Sequence, residues 1–299
     1  KQVCRHWSVG SSYDGWVTAQ KREAPRVVPL IVERLRKQMQ TLKDHQRCGG
    51  WNAFAVDGSQ LACPRTLANQ EAMGDLGKPD GIPQMSLTGV LHLGTGLPWD
   101  FRVGPGTDSE RSHLREMLDG LPDDSLLVAD AGFVGYDLCC DLLREKQHFL
   151  LRVGGNIHLF ASLGYDYEVD GRTVYLWPAH KQNKNERPLR LRLIELCDEQ
   201  KQPVYLVTDV DDPDELSDEA GGEIYQGRWP IEVHYRTMKR TLEHHTMHSR
   251  TPDTCYLEAT WAFLGVWLLQ LMTACQVVAA GADPRCISPA QARDSVRRV

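Results

Sequence analysis

Two short apolar runs in this chain each lead into an aspartate. Phe54-Ala55-Val56 precedes Asp57, and Leu126-Leu127-Val128-Ala129 precedes Asp130. Unbroken apolar runs this short, flanked by turn residues, read as buried strands. A carboxylate directly after such a strand is costly unless it is solvated, paired or bound to metal. Strand ends are also rigid and lie at the sheet edge, where sites are commonly built. The plainer alternative is a turn, since Gly58 follows Asp57 and Asp-Gly is a common turn pair.

The remaining periodicities surround these two strands. Val28, Ile31, Leu35, Met39 and Leu42 recur at helical spacing, which predicts an amphipathic helix over 26–44 ending before Cys48-Gly49-Gly50. A strand is expected from Trp51 to Val56, and two more over 84–103 around Gly94-Thr95-Gly96. Asp108 or Ser109 can cap a helix running to about Asp119. After Asp130 come a helix at 136–146, a strand from His148 to Val153, and short alternating runs within 157–200. A strand from Val204 to Thr208 and a helical stretch to about Gly281 complete the order. That order predicts an α/β fold, a mixed sheet with helices packed on it. Four parts are expected: an N-terminal helical segment (1–49), a core (50–156 and 201–282), a β-rich insertion (157–200) and a C-terminal tail (283–299).

The net charge of −6 argues by itself against a general nucleic-acid binder. Its distribution reverses the argument. Residues 209–219 hold seven carboxylates and no base, so the rest of the chain is near neutral. Residues 225–250 carry Arg228, Arg236, Lys239, Arg240 and Arg250 against only Glu232 and Glu243, with four histidines besides. The acidic run reads as a solvated loop, with an autoinhibitory mimic of DNA as the alternative. His244 and His248 have the i,i+4 spacing of a metal pair, but a basic, DNA-facing helix is the preferred reading because no cysteine partner or HExxH pattern accompanies them.

The nine cysteines are scattered without a CxxC, which disfavours a disulfide framework or zinc ribbon and suits a reducing cytoplasm. No signal peptide opens the chain, and its first residue is Lys, as in a fragment or processed protein. Residues 260–282 run 23 positions without a charge, long enough for a membrane span. Internal Gln270 and Gln276, diluted by Ala, Gly and Thr, favour a buried core helix instead.

Tyr225, Arg228, Glu232 and Lys239 stand at offsets of 0, 3, 7 and 14. On one continuous helix they would fall within about 60° of one another. Pro230 interrupts that picture, because proline is best tolerated in a first turn, so Tyr225 and Arg228 can belong to a preceding element. A solvated charged face is the alternative. Together, however, two strand carboxylates and one helix carboxylate can hold two Mg²⁺ ions through hard oxygen ligands. Ions about 3.5–4 Å apart would activate the attacking oxygen and stabilise the leaving one at a phosphodiester. Neighbouring Arg and Lys would hold flanking phosphates.

The segments VDGSQLACPRTLANQEAMG (56–74) and LLVADAGFVGYDL (126–138), with the Tyr225, Arg228, Glu232, Lys239 pattern, resemble bacterial DDE transposases of the insertion-sequence-4 group. The resemblance covers roughly 50–280 and includes the spacings: 73 residues between the aspartates and 102 from Asp130 to Glu232. It implies a ribonuclease H-like domain with a β-rich insertion before the catalytic helix. It also implies a DNA transposase that cuts at transposon ends and joins the 3′-OH to target DNA. A nuclease without strand transfer, or a non-catalytic DNA-binding remnant, is the alternative. Asp57, Asp130 and Glu232 would be the catalytic metal ligands for two Mg²⁺, with Mn²⁺ as a substitute. Tyr225, Arg228, Trp229, Arg236, Lys239 and Arg240 would contact DNA. In relatives a Trp at the position of Trp229 stacks on a base flipped out during hairpin formation; packing of the helix start is the alternative role. The partners implied are double-stranded DNA, as terminal inverted repeats and target, and a second copy of the chain on paired ends, with no membrane. Ala131 stands where many relatives have Arg. Relatives carry a separate N-terminal module that binds the terminal repeat, whereas little precedes the core here, so sequence-specific end recognition is not expected of this stretch alone.

Overall fold

The structure, a computed structural model, describes residues 12–42, 45–74, 81–197, 201–241 and 246–287. In chain order its elements are α1 (Tyr13–Met39), β1 (Ala53–Ala62), α2 (Leu67–Met73), β2 (Gln84–His92), β3 (Leu97–Pro105) and α3 (Glu110–Arg115). These are followed by β4 (Leu126–Ala129), α4 (Tyr136–Arg144), β5 (His148–Gly154), α5 (Leu159–Ser162), β6 (Asp166–Asp170), β7 (Thr173–Trp177), β8 (Leu189–Cys197) and β9 (Pro203–Thr208). The last helices are α6 (Asp218–Gln226), α7 (Pro230–Arg236) and α8 (Pro252–Ala279).

The nine strands among the described residues form one sheet, ordered β3-β2-β1-β4-β5-β9-β8-β7-β6. β1, β4 and β5 run parallel, and every other pairing is antiparallel. The parallel centre is the driest part: all of β4 and the first four residues of β1 are buried, as strands covered on both faces must be. The segment 157–200 adds β6, β7 and β8 to the edge of the same sheet rather than standing apart from it.

Three local departures from the sequence expectations have physical causes. The first helix runs 13–39 rather than 26–44: the Ser12 hydroxyl accepts from the Gly15 N–H at 3.1 Å, starting the helix a dozen residues early. Pro25 and Pro29 lie inside it, each removing one helical hydrogen bond. Secondly, β1 does not stop at Val56. Pairing with β2 continues from Phe54 to Ala62, so Asp57 is mid-strand and Asp57-Gly58 is not a turn. Thirdly, the chain from 218 to 279 is not one helical face but three helices, broken at Gly227–Trp229 and again after a π-helical stretch at Thr237–Thr241.

The uncharged stretch lies in α8, a helix long and apolar enough to cross a membrane by composition. It packs on α1 and β3. Phe263 stacks on Phe101 of β3 with ring centroids 4.3 Å apart, and Trp267 is fully buried. Removing either ring would cost about 3–5 kcal/mol. α1 is fastened to β3 by Arg36, whose guanidinium meets the Asp100 carboxylate at 2.6 Å and the Trp99 carbonyl at 2.7 Å. The acidic run joins β9 to α6. Asp209 accepts from the Phe149 N–H and pairs with His148 at 2.7 Å, Asp211 pairs with Arg190 at 2.6 Å, and Asp218 pairs with Arg172.

Candidate active site

The pairing of β1 with β4 is the root of the site. Ala53, Phe54 and Ala55 lie beside Leu126, Leu127 and Val128, a constant offset of 73. Extended two residues further, the same offset would reach Asp57 and Asp130, and the charge of Asp130 does bear on the Asp57 carboxyl. Neighbouring strands lie about 4.8 Å apart, so the two aspartates arise as neighbours from residues far apart in sequence. The ladder itself ends at Ala55 and Val128, because β4 stops at Ala129 and Asp130 turns into a short 3-10 turn, its Oδ1 accepting from the Gly132 N–H at 2.9 Å. β1 continues along β2 alone. Asp57 therefore flanks a gap in the sheet instead of a strand, and its side chain keeps 19% of its accessibility where the buried first half of β1 gives way to a partly exposed second half.

Helix α7 brings the third carboxylate to this gap. Pro230 occupies its first turn, where the missing N–H costs nothing. Glu232 lies in that first turn. Between Glu232 and Asp57 sits the Arg228 guanidinium, 3.2 Å from Glu232 Oε1 and 3.7 Å from Asp57 Oδ2, with only 15% of its side chain exposed. Burial opposes its charge, but Tyr225, Asp57, Glu232 and Asp130 outweigh burial and hold it more firmly protonated than usual. Burial pushes the Asp57 carboxyl up to about 6; Asp130 and Glu232 add to the rise, and Arg228 and the Gly58 N–H oppose it. Three negative groups thus share one surplus that a single guanidinium does not cancel.

The other residues singled out in the sequence fall around this centre. Arg228 lies over the Tyr225 ring at 5.8 Å. The Tyr225 hydroxyl is buried without a hydrogen-bond partner among the described residues. Lys239, in the π-helical stretch, donates from Nζ to Ser59 Oγ at 2.6 Å, two residues along β1 from Asp57 and on the same face. Burial lowers the Lys239 ammonium while Asp57 opposes that. Trp229 is 54% exposed, with the Arg236 guanidinium 5.2 Å above its ring, and Arg236 and Arg240 face solvent. His244 and His245 lie outside the described residues. His248 meets Glu258 at 3.0 Å on the far side of the α7–α8 connection.

Sequence reasoning missed three contributors. Tyr235, fully enclosed in α7, donates its hydroxyl to the Asp57 main-chain carbonyl at 2.6 Å. Gly89 lies opposite Asp57 on β2, and a Cβ there would stand 2.9 Å from the Tyr235 hydroxyl. Glu110, at the start of α3, packs its carboxyl on Gly58. None of these carries a local signal: each matters through a partner distant in sequence.

Among the described residues no three His, Cys, Asp or Glu side chains are gathered tightly enough to form a closed metal-ligand set. The donor chemistry nevertheless fits a hard divalent cation. All the candidate ligands are carboxylates, and the negative surplus at Asp57 is what such a cation would relieve.

Residues 51–268 match the family described as the transposase DDE domain. The chain is 23% identical over 252 residues to the transposase InsG of insertion sequence element IS4 from Escherichia coli, covering 79% of this chain and 55% of that protein. It is 22% identical over 265 residues to the protein assigned as transposase of insertion sequence element IS4SA in Synechocystis, covering 85% and 70%. The chain thus spans about half the length of the IS4 relative. Among solved structures it is similar to the piggyBac transposase, imaged in a synaptic complex with hairpin DNA. That likeness has a TM-score of 0.50 at 12% identity over 81% of this chain and 51% of that one. The likeness and the mixed sheet give the fold as ribonuclease H-like, as the sequence predicted.

Proposed function

The chain belongs to the transposase DDE domain family, and from that footing we propose that it is the catalytic core of a DNA transposase. Asp57, Asp130 and Glu232 hold divalent cations, two Mg²⁺ with Mn²⁺ able to substitute. The observation that carries this reading is that the three acids act on one point: Arg228 pairs with both Asp57 and Glu232, and the charges of Asp130 and Glu232 both bear on the Asp57 carboxyl.

When bound, the cations would polarise the phosphate and stabilise charge on the entering and departing oxygens. The remaining work belongs to side chains of this chain. A water attacks the phosphorus at the transposon end, the bond to the 3′ oxygen breaks, and that oxygen leaves as a 3′-OH. That hydroxyl then attacks a target phosphorus and forms a new 3′ O–P bond while the target's own P–O3′ bond breaks, its 3′ oxygen leaving as a hydroxyl, so one centre serves both steps. Positioning supplies much of the acceleration in phosphoryl transfer. Arg228, which lies between Asp57 and Glu232, would hold a phosphate of the substrate strand. Lys239 reaches the same groove from the Ser59 side, and Tyr225 backs Arg228. Trp229, Arg236 and Arg240 form an exposed aromatic and basic fringe for the flanking duplex. The partners are terminal inverted repeats and target DNA, engaged by two copies of the chain in the cytoplasm.

The test uses purified protein, labelled transposon-end duplexes and Mg²⁺ or Mn²⁺. Wild type is expected to cleave and, with pre-cut ends and target DNA, to give joined product. Asp57→Asn, Asp130→Asn and Glu232→Gln are each expected to abolish cleavage while DNA binding survives. Cleavage at the normal rate by any of the three would overturn the assignment. Cleavage by wild type without any joined product would make the protein a nuclease rather than a transposase.

A further inference from the structure

Arg111 is a cation that the proposed chemistry leaves unused. It is the second residue of α3, which follows β3 and packs on β1, β2 and β3. Its guanidinium reaches the turn that carries Asp130, where Nε donates to the Gly132 carbonyl at 2.8 Å. The N–H of the same glycine donates to Asp130 Oδ1 at 2.9 Å. Arg111 and the second aspartate are thus fastened to the two main-chain groups of one residue.

Room for the guanidinium comes from Gly135. A Cβ built there would stand 3.0 Å from Arg111 Nη1 and 3.6 Å from its Cζ. The Gly135 backbone is extended, with φ −178°, which any residue adopts, so what its missing side chain provides is space. The Tyr165 hydroxyl, just ahead of β6, lies 3.2 Å from the same point. What Arg111 lacks is a counter-charge. Its neighbours are paired: Arg115 meets Asp141 at 2.6 Å and Arg102 meets Asp100 at 2.9 Å. Among the described residues no carboxylate pairs with Arg111, and of its five N–H donors only Nε–H has an acceptor. A guanidinium fixed by one main-chain bond, with both Nη groups unused, is preorganised for the paired oxygens of a phosphate.

Its position relative to the acids follows from the alternation of β1. Asp57 and its β2 partner Gly89 face Tyr235 of α7, whereas the Gly58 position faces Glu110, the residue before Arg111. α7 and α3 therefore flank the end of β4 from opposite faces of the sheet. The charges of Asp57 and Asp130 both bear on Glu110, so the start of α3 lies within electrostatic reach of both aspartates.

From this geometry we infer that Arg111 is a phosphate-holding residue of the site, gripping on the Asp130 side the DNA that Arg228 and Lys239 meet on the α7 side. The inference rests on the reading of this chain as the catalytic core of a DNA transposase. It places a basic group beside Asp130, where the next residue, Ala131, brings none.

Binding of the full chain to a labelled DNA duplex, in chelator and over a series of salt concentrations, tests the inference without reference to turnover. Phosphate contacts carry no sequence information, so a duplex of any sequence serves. Circular dichroism checks that each variant is folded. Arg111→Ala is expected to weaken binding by about tenfold, and to lower the slope of log affinity against log salt by about one. Arg111→Lys keeps the charge and is expected to keep the wild-type slope. Arg111→Gln, closer in size, is read in the same way should the alanine variant not fold. Arg228→Ala is measured alongside, and Arg115→Ala is expected to behave as wild type. If Arg228→Ala lowers the slope while folded Arg111→Ala keeps it, the inference is refuted and the DNA-binding reading of the site stands. Weaker binding by Arg111→Ala and Arg111→Lys alike, at unchanged slope, would make Arg111 a prop for the Asp130 turn and refute the phosphate contact. If neither Arg228→Ala nor Arg111→Ala alters the slope, or wild type binds no DNA, both readings fall together.

Discussion

The hydroxyl of Tyr235 donates to the main-chain carbonyl of Asp57 at 2.6 Å. This bond joins α7, which carries Glu232, to the point on β1 that carries Asp57. Room for it comes from Gly89, the β2 partner of Asp57, which has no side chain to block the tyrosine. If Asp57 and Glu232 share cations, as proposed above, their separation must be held to a fraction of an ångström. A fully buried phenol bonded to the strand is a direct way to fix it.

Tyr235→Phe removes that bond between α7 and β1. The expected cost is about 1–2 kcal/mol of stability, read as a modest fall in thermal midpoint. Cleavage is expected to fall by about tenfold, because the acids are held less accurately. Affinity for end DNA should change little. Equal losses in binding and cleavage would point to general loosening of the fold instead.

The raised Asp57 carboxyl has a pH signature. Its value moves from 3.8 in the unfolded chain to about 6 in the fold, through burial first and the charges of Asp130 and Glu232 next. The folded protein therefore keeps this proton where the unfolded chain has lost it. The associated stability is full below about pH 3.8 and is lost as pH rises through about 6. Buried His92 and His234, both lowered to about 4 by burial, act in the opposite sense: their stability is present above 6.5 and is lost as pH falls. The Asp57→Asn variant separates the two effects. In chelator, its stability relative to wild type should rise between pH 4 and 7 by on the order of 1–3 kcal/mol. Denaturant titrations across that range measure the difference, and a difference flat in pH would contradict the burial of Asp57.

Trp229 stands at the exposed start of α7, under the Arg236 guanidinium rather than in the core. Trp229→Ala is expected to lower stability by no more than about 1 kcal/mol, the value of an exposed cation–π pair. Loss of a base-stacking platform would weaken binding to end DNA by about 1–3 kcal/mol. Parallel melting and DNA-binding measurements distinguish these roles. A large stability loss with unchanged DNA affinity would assign the ring to packing.

The order of elements along the chain was legible because the central strands are short apolar runs with turn residues between them, whereas the order of strands across the sheet was not. Asp57 and Asp130 were legible as polar residues directly after such runs. What one-dimensional spacing could not convey is that 73 residues is also the register of β1 on β4, which is what makes the two aspartates neighbours. The spacing of Tyr225, Arg228, Glu232 and Lys239 suits one helical face, and Pro230 already signals that Tyr225 and Arg228 can belong to a preceding element. The structure has Tyr225 in α6, Arg228 in the link, Glu232 in α7 and Lys239 in the π-helical stretch, whose break after α7 carries no sequence signal. The four stay near one another through Arg228 and through the Lys239 bond to Ser59, which are tertiary contacts. Tyr235, Gly89, Gly58 and Glu110 were invisible for the same reason. A glycine chosen for the space it leaves looks no different in sequence from one chosen for a turn.

The most direct test of the site is to soak crystals of the protein in Mn²⁺ and collect data at the manganese absorption edge. An anomalous peak lying between the carboxyl groups of Asp57 and Asp130, with Arg228 withdrawn from Asp57, is the result predicted here. A peak at other residues alone, or none at concentrations that support cleavage, would contradict it.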